Sequence, residues 1–221
     1  MSLAKKYFNG RLQSISQDGS RDLLAAREVQ TLKTLYRITR QKEMRAHEIF
    51  LDLGCGDRYL RDEIEAMGLN YEGFDIDECN LMNEAIPVSD DYADYVVSYS
   101  LIEHLPDPDN FLREAFRVLK PGGLLVLETP NWHHSSRDFF NDYTHCKPYT
   151  PTSLRALCGD YGFKVMGDFP NLRCKTDWFY TNKYRYTVAA SLPFTGSTWP
   201  MIPQVLRGRA KGMILLATKS D

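Results

Sequence analysis

The segment Ile49 to Gly56 reads I-F-L-D-L-G-C-G, an apolar run that ends in an acid and two glycines. The apolar run predicts a buried strand, and the glycines predict a sharp turn after it, because a residue without Cβ lets the backbone bend and approach a ligand. Asp52 adds a hydrogen-bond acceptor at the end of the strand. The pattern therefore predicts a strand that leads into a ligand loop, although such turns also use glycine for steric reasons alone.

A second acid lies where a nucleoside-binding βαβ unit needs one. Asp75 follows another short apolar segment, 19 positions after Gly56, and an acid about 20 residues downstream is placed to accept both hydroxyls of a ribose. A dinucleotide fingerprint has a third glycine near position 59, whereas this chain has Asp57, Arg58 and Tyr59 there. Asp57 would repel a pyrophosphate. The spacing therefore predicts a nucleoside ligand and disfavours NAD and FAD.

Four motifs in order resemble the class I S-adenosylmethionine-dependent methyltransferases. They are D-L-G-C-G at 52–56, G-F-D-I-D at 73–77, D-Y-V-V-S-Y-S-L-I-E-H-L at 94–105 and L-K-P-G-G-L-L-V-L-E-T-P-N at 119–131. The chain is most similar to the small bacterial members that carry E-H-L and L-K-P-G-G. The resemblance covers residues 48 to about 165. It implies a methyltransferase with S-adenosylmethionine as cofactor and S-adenosylhomocysteine as product.

The expected fold class is α/β. We expect a Rossmann-like, doubly wound, mostly parallel sheet of seven strands or an abbreviated number, with helices on both faces. The resemblance implies an antiparallel last strand. The segment Asp77 to Asp94 is too short for a helix and a strand, so the third unit is expected to be abbreviated. A helix is predicted from Arg58 to Met67, with Gly68 as its stop signal.

The expected organisation is one domain, because 221 residues with 43% hydrophobic content suffice for one sizeable core. A long amphipathic helix from Ser20 is expected to cover the cofactor pocket or the sheet edge. The predicted parts are a helical cover (1–46), a cofactor-binding core (48–169), an aromatic and basic cap (170–210) and a final strand (211–219). The aromatic composition of the cap suits a cover over the substrate mouth or a homodimer contact.

Ligands of open α/β sheets bind beyond the carboxyl ends of the strands, so the site is expected in the loops after the first, second, fourth and fifth strands. Asp52 would orient the methionine ammonium group, and Asp75 would hold the ribose. Ile76 would lie on the adenine face, and the backbone near Met82 would meet its edge. The predicted cofactor-binding residues are Asp52, Leu53, Gly54, Cys55, Gly56, Asp75, Ile76, Met82, Ser98 and Tyr99.

Ser98 and Tyr99 are expected to face the junction of cofactor and substrate, although a strand-end tyrosine also suits simple packing. Methyl transfer to a hydroxyl needs alignment of the acceptor and removal of a proton, and an imidazole suits that task near neutral pH. The candidate bases are His145, His104 and His133.

Each candidate base has a competing structural role. His145 follows Asp142 by three positions, and that carboxylate is expected to fix its tautomer, but the corresponding histidine of related enzymes often has a structural part. Glu103 and His104 also suit a helix start. His133 also suits an exposed position.

A metal site is not expected. The ubiquinone-type O-methyltransferases, which this region resembles, hold a divalent ion with E-x-x-E-H, whereas this chain reads S-L-I-E-H with Ser100 in place of the first glutamate. Loss of one carboxylate weakens a site for a hard cation.

The expected acceptor is a small molecule, methylated at a sugar, lipid-linked or secondary-metabolite hydroxyl. The formal net charge of −2 gives no argument for nucleic acid, and the lack of an N-P-P-Y-like motif argues against it. Two alternatives stay open. Eight basic and two acidic residues from Arg173 onward keep an RNA methyltransferase in view, and intact cofactor motifs would also be found in a non-catalytic S-adenosylmethionine-binding protein.

The expected compartment is the cytoplasm. The five cysteines include no C-x-x-C pair, and their odd number argues against a disulfide framework. The sequence has no run of about 18 apolar residues, so no membrane span is expected.

Overall fold

The computed structural model describes residues 20–171, 184–185, 187–188 and 210–220. Its α-helices include α1 (Ser20–Arg40), α2 (Arg61–Glu65), α3 (Asp109–Val118), α4 (Trp132–Ser135) and α5 (Pro151–Asp160). Its strands are β1 (Ile49–Leu53), β2 (Asn70–Phe74), β3 (Ala93–Tyr99), β4 (Leu119–Pro130), β5 (Phe163–Pro170) and β6 (Gly212–Lys219). Two 3₁₀ turns cover Ile102–His104 and Phe139–Asn141.

The strands form one mixed sheet in the order β2-β1-β3-β4-β6-β5. The four strands from β2 to β4 are parallel, while β6 runs antiparallel to both β4 and β5. Residues 75–92 contain turns and bends and no strand or helix. These findings confirm the Rossmann-like fold, the antiparallel last strand and the abbreviated third unit, with six strands in the described part of the chain.

Helices cover both faces of the sheet, as predicted. Because side chains alternate along a strand, each strand supplies both apolar cores. One core joins α3 and α5 to the sheet residues Leu51, Val96, Leu125 and Leu215. The other core joins α1 and α2 to the sheet residues Phe50, Val97, Val126 and Leu216.

The first helix lies across a face of the sheet. Val29, Leu32 and Leu35 recur at helical spacing and are buried in the same core as Phe50. The Tyr59 hydroxyl donates to Glu28 at 3.0 Å, which ties α1 to the loop that precedes α2. The helix thus supports the sheet from one face, whereas the sequence predicted a cover over the pocket or the sheet edge.

The predicted helix from Arg58 is shorter in the structure, where α2 begins at Arg61. Arg58 has a φ of +60°, and a right-handed helix requires a negative φ. The chain therefore makes a turn at this point before the helix can begin.

The proposed division of the chain into a cover, core, cap and final strand stays a prediction. Nearly all of the cap (170–210) lies outside the described residues. None of the helices in the described part has the length and apolar character needed to cross a bilayer.

Two glycines near the end of α5 should respond in opposite directions to alanine. Gly162 has a φ of +86°, and a Cβ there would lie 3.1 Å from the Phe116 ring. Gly162→Ala should therefore lower the free energy of unfolding by about 1–2 kcal/mol, measured by urea denaturation.

Gly159 provides the matched control, because it lies within α5 and a Cβ there would meet nothing within 4 Å. Gly159→Ala should raise the free energy of unfolding by about 0.5 kcal/mol. Equal changes at both positions would show that the left-handed turn does not determine the effect.

Candidate functional site

The loop after β1 is fastened to the end of β2. The Gly54 N–H donates to the Phe74 carbonyl at 2.8 Å, and the Gly56 N–H donates to Asp75 Oδ2 at 2.6 Å. Both glycines have positive φ, +76° and +54°, where a side chain would add strain. A Cβ on Gly54 would also lie 2.9 Å from the Leu101 side chain. The sequence prediction of a sharp glycine turn thus agrees with the observed geometry.

The Asp75 carboxylate is half-buried beside this loop. Its Oδ1 accepts from the Ile76 N–H at 2.6 Å, and its Oδ2 accepts from Gly56. Since a carboxylate can accept about four hydrogen bonds, capacity for ribose hydroxyls is retained. Ile76 and Met82 are 46% and 42% exposed, which is high for large apolar side chains.

Asp52 is buried at the end of β1, where the Tyr71 hydroxyl donates to its Oδ2 at 2.8 Å. Burial raises the pKa of Asp52 to about 7, although the hydrogen bond from Tyr71 opposes the rise. Tyr71 is itself held by stacking on Phe50, with ring centroids 6.1 Å apart. Sequence analysis missed Tyr71, because the register that aligns β2 with β1 cannot be read from either strand alone.

The remaining predicted cofactor residues are buried. Leu53 and Cys55 lie in the interior, and burial raises the pKa of the Cys55 thiol to about 12. The Ser98 hydroxyl donates to the Leu53 carbonyl at 2.8 Å, and Tyr99 lies in the core beneath α1. The predicted part of Ser98 and Tyr99 at the junction of cofactor and substrate stays a prediction.

Two histidines meet at the carboxyl edge of the sheet. His104, from the 3₁₀ turn after β3, and His145, from the loop before α5, have ring centroids 4.7 Å apart in an edge-to-face arrangement. Both side chains are half-buried. The turn that carries His104 begins after Leu101, whose side chain lies against Gly54. The turn that carries His104 therefore starts beside the glycine loop.

Hydrogen bonds define the tautomer of both rings. Thr144 donates its single hydroxyl proton to Asp142 Oδ1 at 2.6 Å, so it accepts from His104 Nδ1 at 2.9 Å. His145 Nδ1 lies 2.7 Å from the Phe139 carbonyl, which can only accept. Both neutral rings therefore carry their proton on Nδ1, and Nε2 is the basic nitrogen of each.

Asp142 acts on a different histidine from the one that was predicted. Its Oδ2 is 4.0 Å from His145 Nε2, which is too long for a hydrogen bond, while its Oδ1 reaches His104 through Thr144. Burial works to raise the pKa of Asp142, but the hydrogen bonds from Thr144 and the nearby histidines hold it below its ordinary value. Thr144 was not identified from the sequence because its partner, His104, lies 40 residues earlier in the chain.

His133 does not belong to this pair. It is exposed on α4, where its backbone N–H donates to Asn131 Oδ1 at 3.1 Å. Its predicted part in catalysis stays a prediction.

A buried carboxylate that the sequence analysis missed lies beside Ser100. Ser100 has a φ of +51°, and its hydroxyl donates to Glu128 Oε2 at 2.8 Å. Glu128 is 3% exposed and also accepts from Asn171 Nδ2 at 3.2 Å. The serine that replaces the first glutamate of E-x-x-E-H is therefore bonded to a carboxylate from β4.

Three potential metal ligands come together in the described part of the chain. Glu103, His104 and His145 each place one ligand atom within 4.8 Å of the other two. The two Nδ1 atoms are engaged, which leaves Nε2 as the ligand atom of each ring, and Glu103 Oε2 accepts from Thr129 at 2.9 Å. The donor set fits a divalent ion. The prediction that no metal binds remains a prediction.

The fold and this edge define a Rossmann-like domain with a nucleoside-type site. A family model described as a methyltransferase domain matches residues 24–166, which is more than half of the chain. The chain therefore belongs to this methyltransferase family. The assignment confirms the predicted class, the class I S-adenosylmethionine-dependent methyltransferases, and S-adenosylmethionine as the family's cofactor.

Curated relatives match part of the chain. A Mycolicibacterium smegmatis protein named as a probable S-adenosylmethionine-dependent methyltransferase is 31% identical over an alignment of 132 residues, with coverage of 52% of this chain and 51% of that protein. A ubiquinone biosynthesis O-methyltransferase from Parvibaculum lavamentivorans is 28% identical over 101 residues, covering 37% of this chain and 40% of the relative. The chain thus spans about half the length of the first of these relatives, and less of the second.

Solved structures share the fold. Phosphoethanolamine N-methyltransferase 2 of Haemonchus contortus, solved with S-adenosylmethionine, has a TM-score of 0.57 and 15% identity, over 100% of this chain and 61% of that one. An S-adenosylmethionine-dependent methyltransferase from Archaeoglobus fulgidus has a TM-score of 0.51 and 19% identity, over 87% and 94% of the two chains. These likenesses support the architecture alone.

The raised pKa of Asp52 predicts that cofactor affinity depends on pH. A cationic ammonium group favours the ionised carboxylate, so affinity for S-adenosylmethionine should increase as the pH rises through about 7 and then level off. Calorimetric titration across this range measures the effect.

Two variants test the assignment to Asp52. Asp52→Asn should weaken binding and remove this pH dependence, while Tyr71→Phe should move the midpoint to higher pH because the stabilising hydrogen bond is lost. A pH dependence that persists unchanged in Asp52→Asn would assign it to another group.

Proposed function

We propose that this protein transfers the methyl group of S-adenosylmethionine to a hydroxyl group of a small molecule. The observation that carries the proposal is the His104–His145 pair, whose rings are 4.7 Å apart and whose basic Nε2 atoms are defined by bonds at Nδ1. The pair lies at the same sheet edge as the glycine loop.

The proposed cofactor-binding site is built from charged and apolar side chains at this edge of the sheet. The Asp52 carboxylate would hold the methionine ammonium group, and Asp75 would accept from the ribose hydroxyls. The exposed side chains of Ile76 and Met82 supply apolar surface for the adenine. When bound, S-adenosylmethionine supplies a methyl group activated by a sulfonium and leaves as S-adenosylhomocysteine.

The chain's own contribution to the reaction is alignment of the acceptor and removal of its proton. We assign the base to His104, because its Nδ1–H is bonded through Thr144 to the Asp142 carboxylate. That chain stabilises the positive charge that develops when Nε2 takes the hydroxyl proton. His145 lies beside it and would align the acceptor.

The acceptor class is a sugar, lipid-linked or secondary-metabolite hydroxyl. A relative named as a ubiquinone biosynthesis O-methyltransferase supports transfer to oxygen. If Glu103, His104 and His145 hold a divalent ion instead, their role would be to hold it, and the ion would lower the pKa of an acceptor hydroxyl bound to it. An RNA methyltransferase and a non-catalytic cofactor-binding protein are the rival outcomes of the experiments below.

Asp75→Ala should weaken binding of S-adenosylmethionine about tenfold or more, because charge-assisted bonds to the ribose are lost. Asp77→Ala, at an exposed acid in the same loop, is the matched control and should bind as tightly as the wild type. Calorimetry gives both affinities. Equal binding by Asp75→Ala would refute the ribose assignment.

His104→Ala should lower turnover by about 10²–10⁴ while leaving cofactor affinity within about twofold, if His104 is the general base. Transfer of a labelled methyl group to a panel of phenols, sugars and polyprenyl alcohols measures turnover. His145→Ala should raise the acceptor KM more than it lowers kcat. His47→Ala, at an exposed residue near the opposite edge, controls for loss of a histidine.

Three outcomes of this assay would change the assignment. Activity lost with a chelator and restored by Mg²⁺ or Zn²⁺ would make His104 a metal ligand. Transfer to RNA with steep salt dependence would favour the nucleic-acid rival. Tight cofactor binding without transfer to any acceptor would favour the non-catalytic rival.

A further inference from the structure

The glycine loop contains an arginine in a backbone conformation that favours glycine. Arg58 has a φ of +60°, the left-handed region in which a side chain is disfavoured. It follows Gly54 and Gly56 at the same spacing of two residues, so the loop reads G-x-G-x-R. A glycine would adopt this conformation without strain, which means that the arginine side chain needs a compensating role.

The guanidinium group of Arg58 connects two loops. Its Nη2 donates to the Gly73 carbonyl at 3.2 Å and to Glu78 Oε1 at 2.7 Å. Arg58 belongs to the loop after β1, whereas Glu78 belongs to the turn after β2. The ion pair therefore spans the two segments that enclose the predicted ribose site.

Glu78 transmits this contact to Asp75. While Glu78 Oε1 binds Arg58, its Oε2 accepts from the backbone N–H of Asp75 at 3.1 Å. The hydrogen bond from Arg58 is the main cause that lowers the pKa of Glu78, so the carboxylate is ionised near neutral pH. One acid thus binds the arginine with one oxygen and the backbone of the ribose residue with the other.

We propose that Arg58 and Glu78 are positioning residues that hold Asp75 in the orientation needed for the cofactor ribose. This inference rests on the proposed cofactor site and adds to it a pair outside the predicted cofactor residues. Arg58 acts through Glu78 and needs no contact with the cofactor. The left-handed strain at position 58 is retained because it directs the guanidinium toward Glu78.

If Arg58 is a positioning residue, replacing it should change cofactor affinity without a matching loss of stability. Arg58→Gly removes the ion pair and also relieves the left-handed backbone. The variant should therefore melt at the same temperature as the wild type or higher, while it binds the cofactor less tightly. A purely structural arginine would not produce this combination, since its loss would lower the melting temperature.

S-adenosylhomocysteine is the probe for the experiment. The ammonium and carboxylate charges of its amino-acid part cancel, so the ligand's net charge contributes little to the salt dependence of the affinity. Calorimetry should show about three- to tenfold weaker binding for Arg58→Gly and for Glu78→Gln. Wild-type affinity should decrease with added salt, and this dependence should be smaller in both variants. Arg58→Lys keeps the charge but loses the planar guanidinium whose Nη2 bonds both the Gly73 carbonyl and Glu78. Its affinity should lie between that of the wild type and those of the two variants.

Glu43→Gln is the matched control. Glu43 forms an exposed ion pair with Arg37, also at 2.7 Å, near the end of α1. Its loss should leave the affinity for S-adenosylhomocysteine unchanged. If Glu43→Gln weakens binding of S-adenosylhomocysteine as much as Glu78→Gln does, the effect comes from net charge and the proposal is overturned.

The outcomes separate the positioning role from the proposed function. If the wild-type protein binds S-adenosylhomocysteine and both Arg58→Gly and Glu78→Gln bind it with the same affinity, the positioning role is overturned and the cofactor site stands. Weaker binding together with a lower melting temperature in both variants would make the pair structural. Absence of binding by the wild-type protein would overturn the cofactor site and this inference with it.

Discussion

The site depends on the attachment of one loop to the end of its neighbouring strand. The Gly54 N–H donates to the Phe74 carbonyl and the Gly56 N–H donates to the Asp75 carboxylate. These bonds fix the loop after β1 to the end of β2. Parallel pairing of β1 with β2 places those acceptors within reach. Asp52 then stands at the base of the loop, and Leu101 brings the histidine turn against Gly54. The geometry of the whole edge follows from this attachment.

Much of this arrangement was predictable because local chemistry specified it. Two glycines after an apolar run and an acid favour a sharp turn at the end of a strand. The 19-residue spacing from Gly56 to Asp75 fits one turn, one helix and one strand. The expected Rossmann-like fold class also included helices on both faces of the sheet. The antiparallel position of β6 was different, since only the family resemblance implied it.

The errors concern contacts that depend on three-dimensional placement. Asp142 was predicted to orient His145 because it lies three positions earlier in the sequence, yet Thr144 directs the carboxylate toward His104 instead. Tyr71 and Glu128 reach the site through strand registers that span many residues. Sequence spacing carries no information about such register, so buried polar partners are the part of a site that a single sequence reveals least.

The position of β6 has a consequence for the order in which the chain can fold. Among the described strands, β5 pairs with β6 alone, and β6 also covers the edge of β4. While the chain is being synthesised, β1 to β4 can assemble as soon as they emerge, but the β4 edge stays open until residues 212–219 leave the ribosome. The nascent protein therefore carries an uncapped sheet edge while residues 131–211, about eighty residues, are translated, and chaperone binding at that stage would protect it from aggregation.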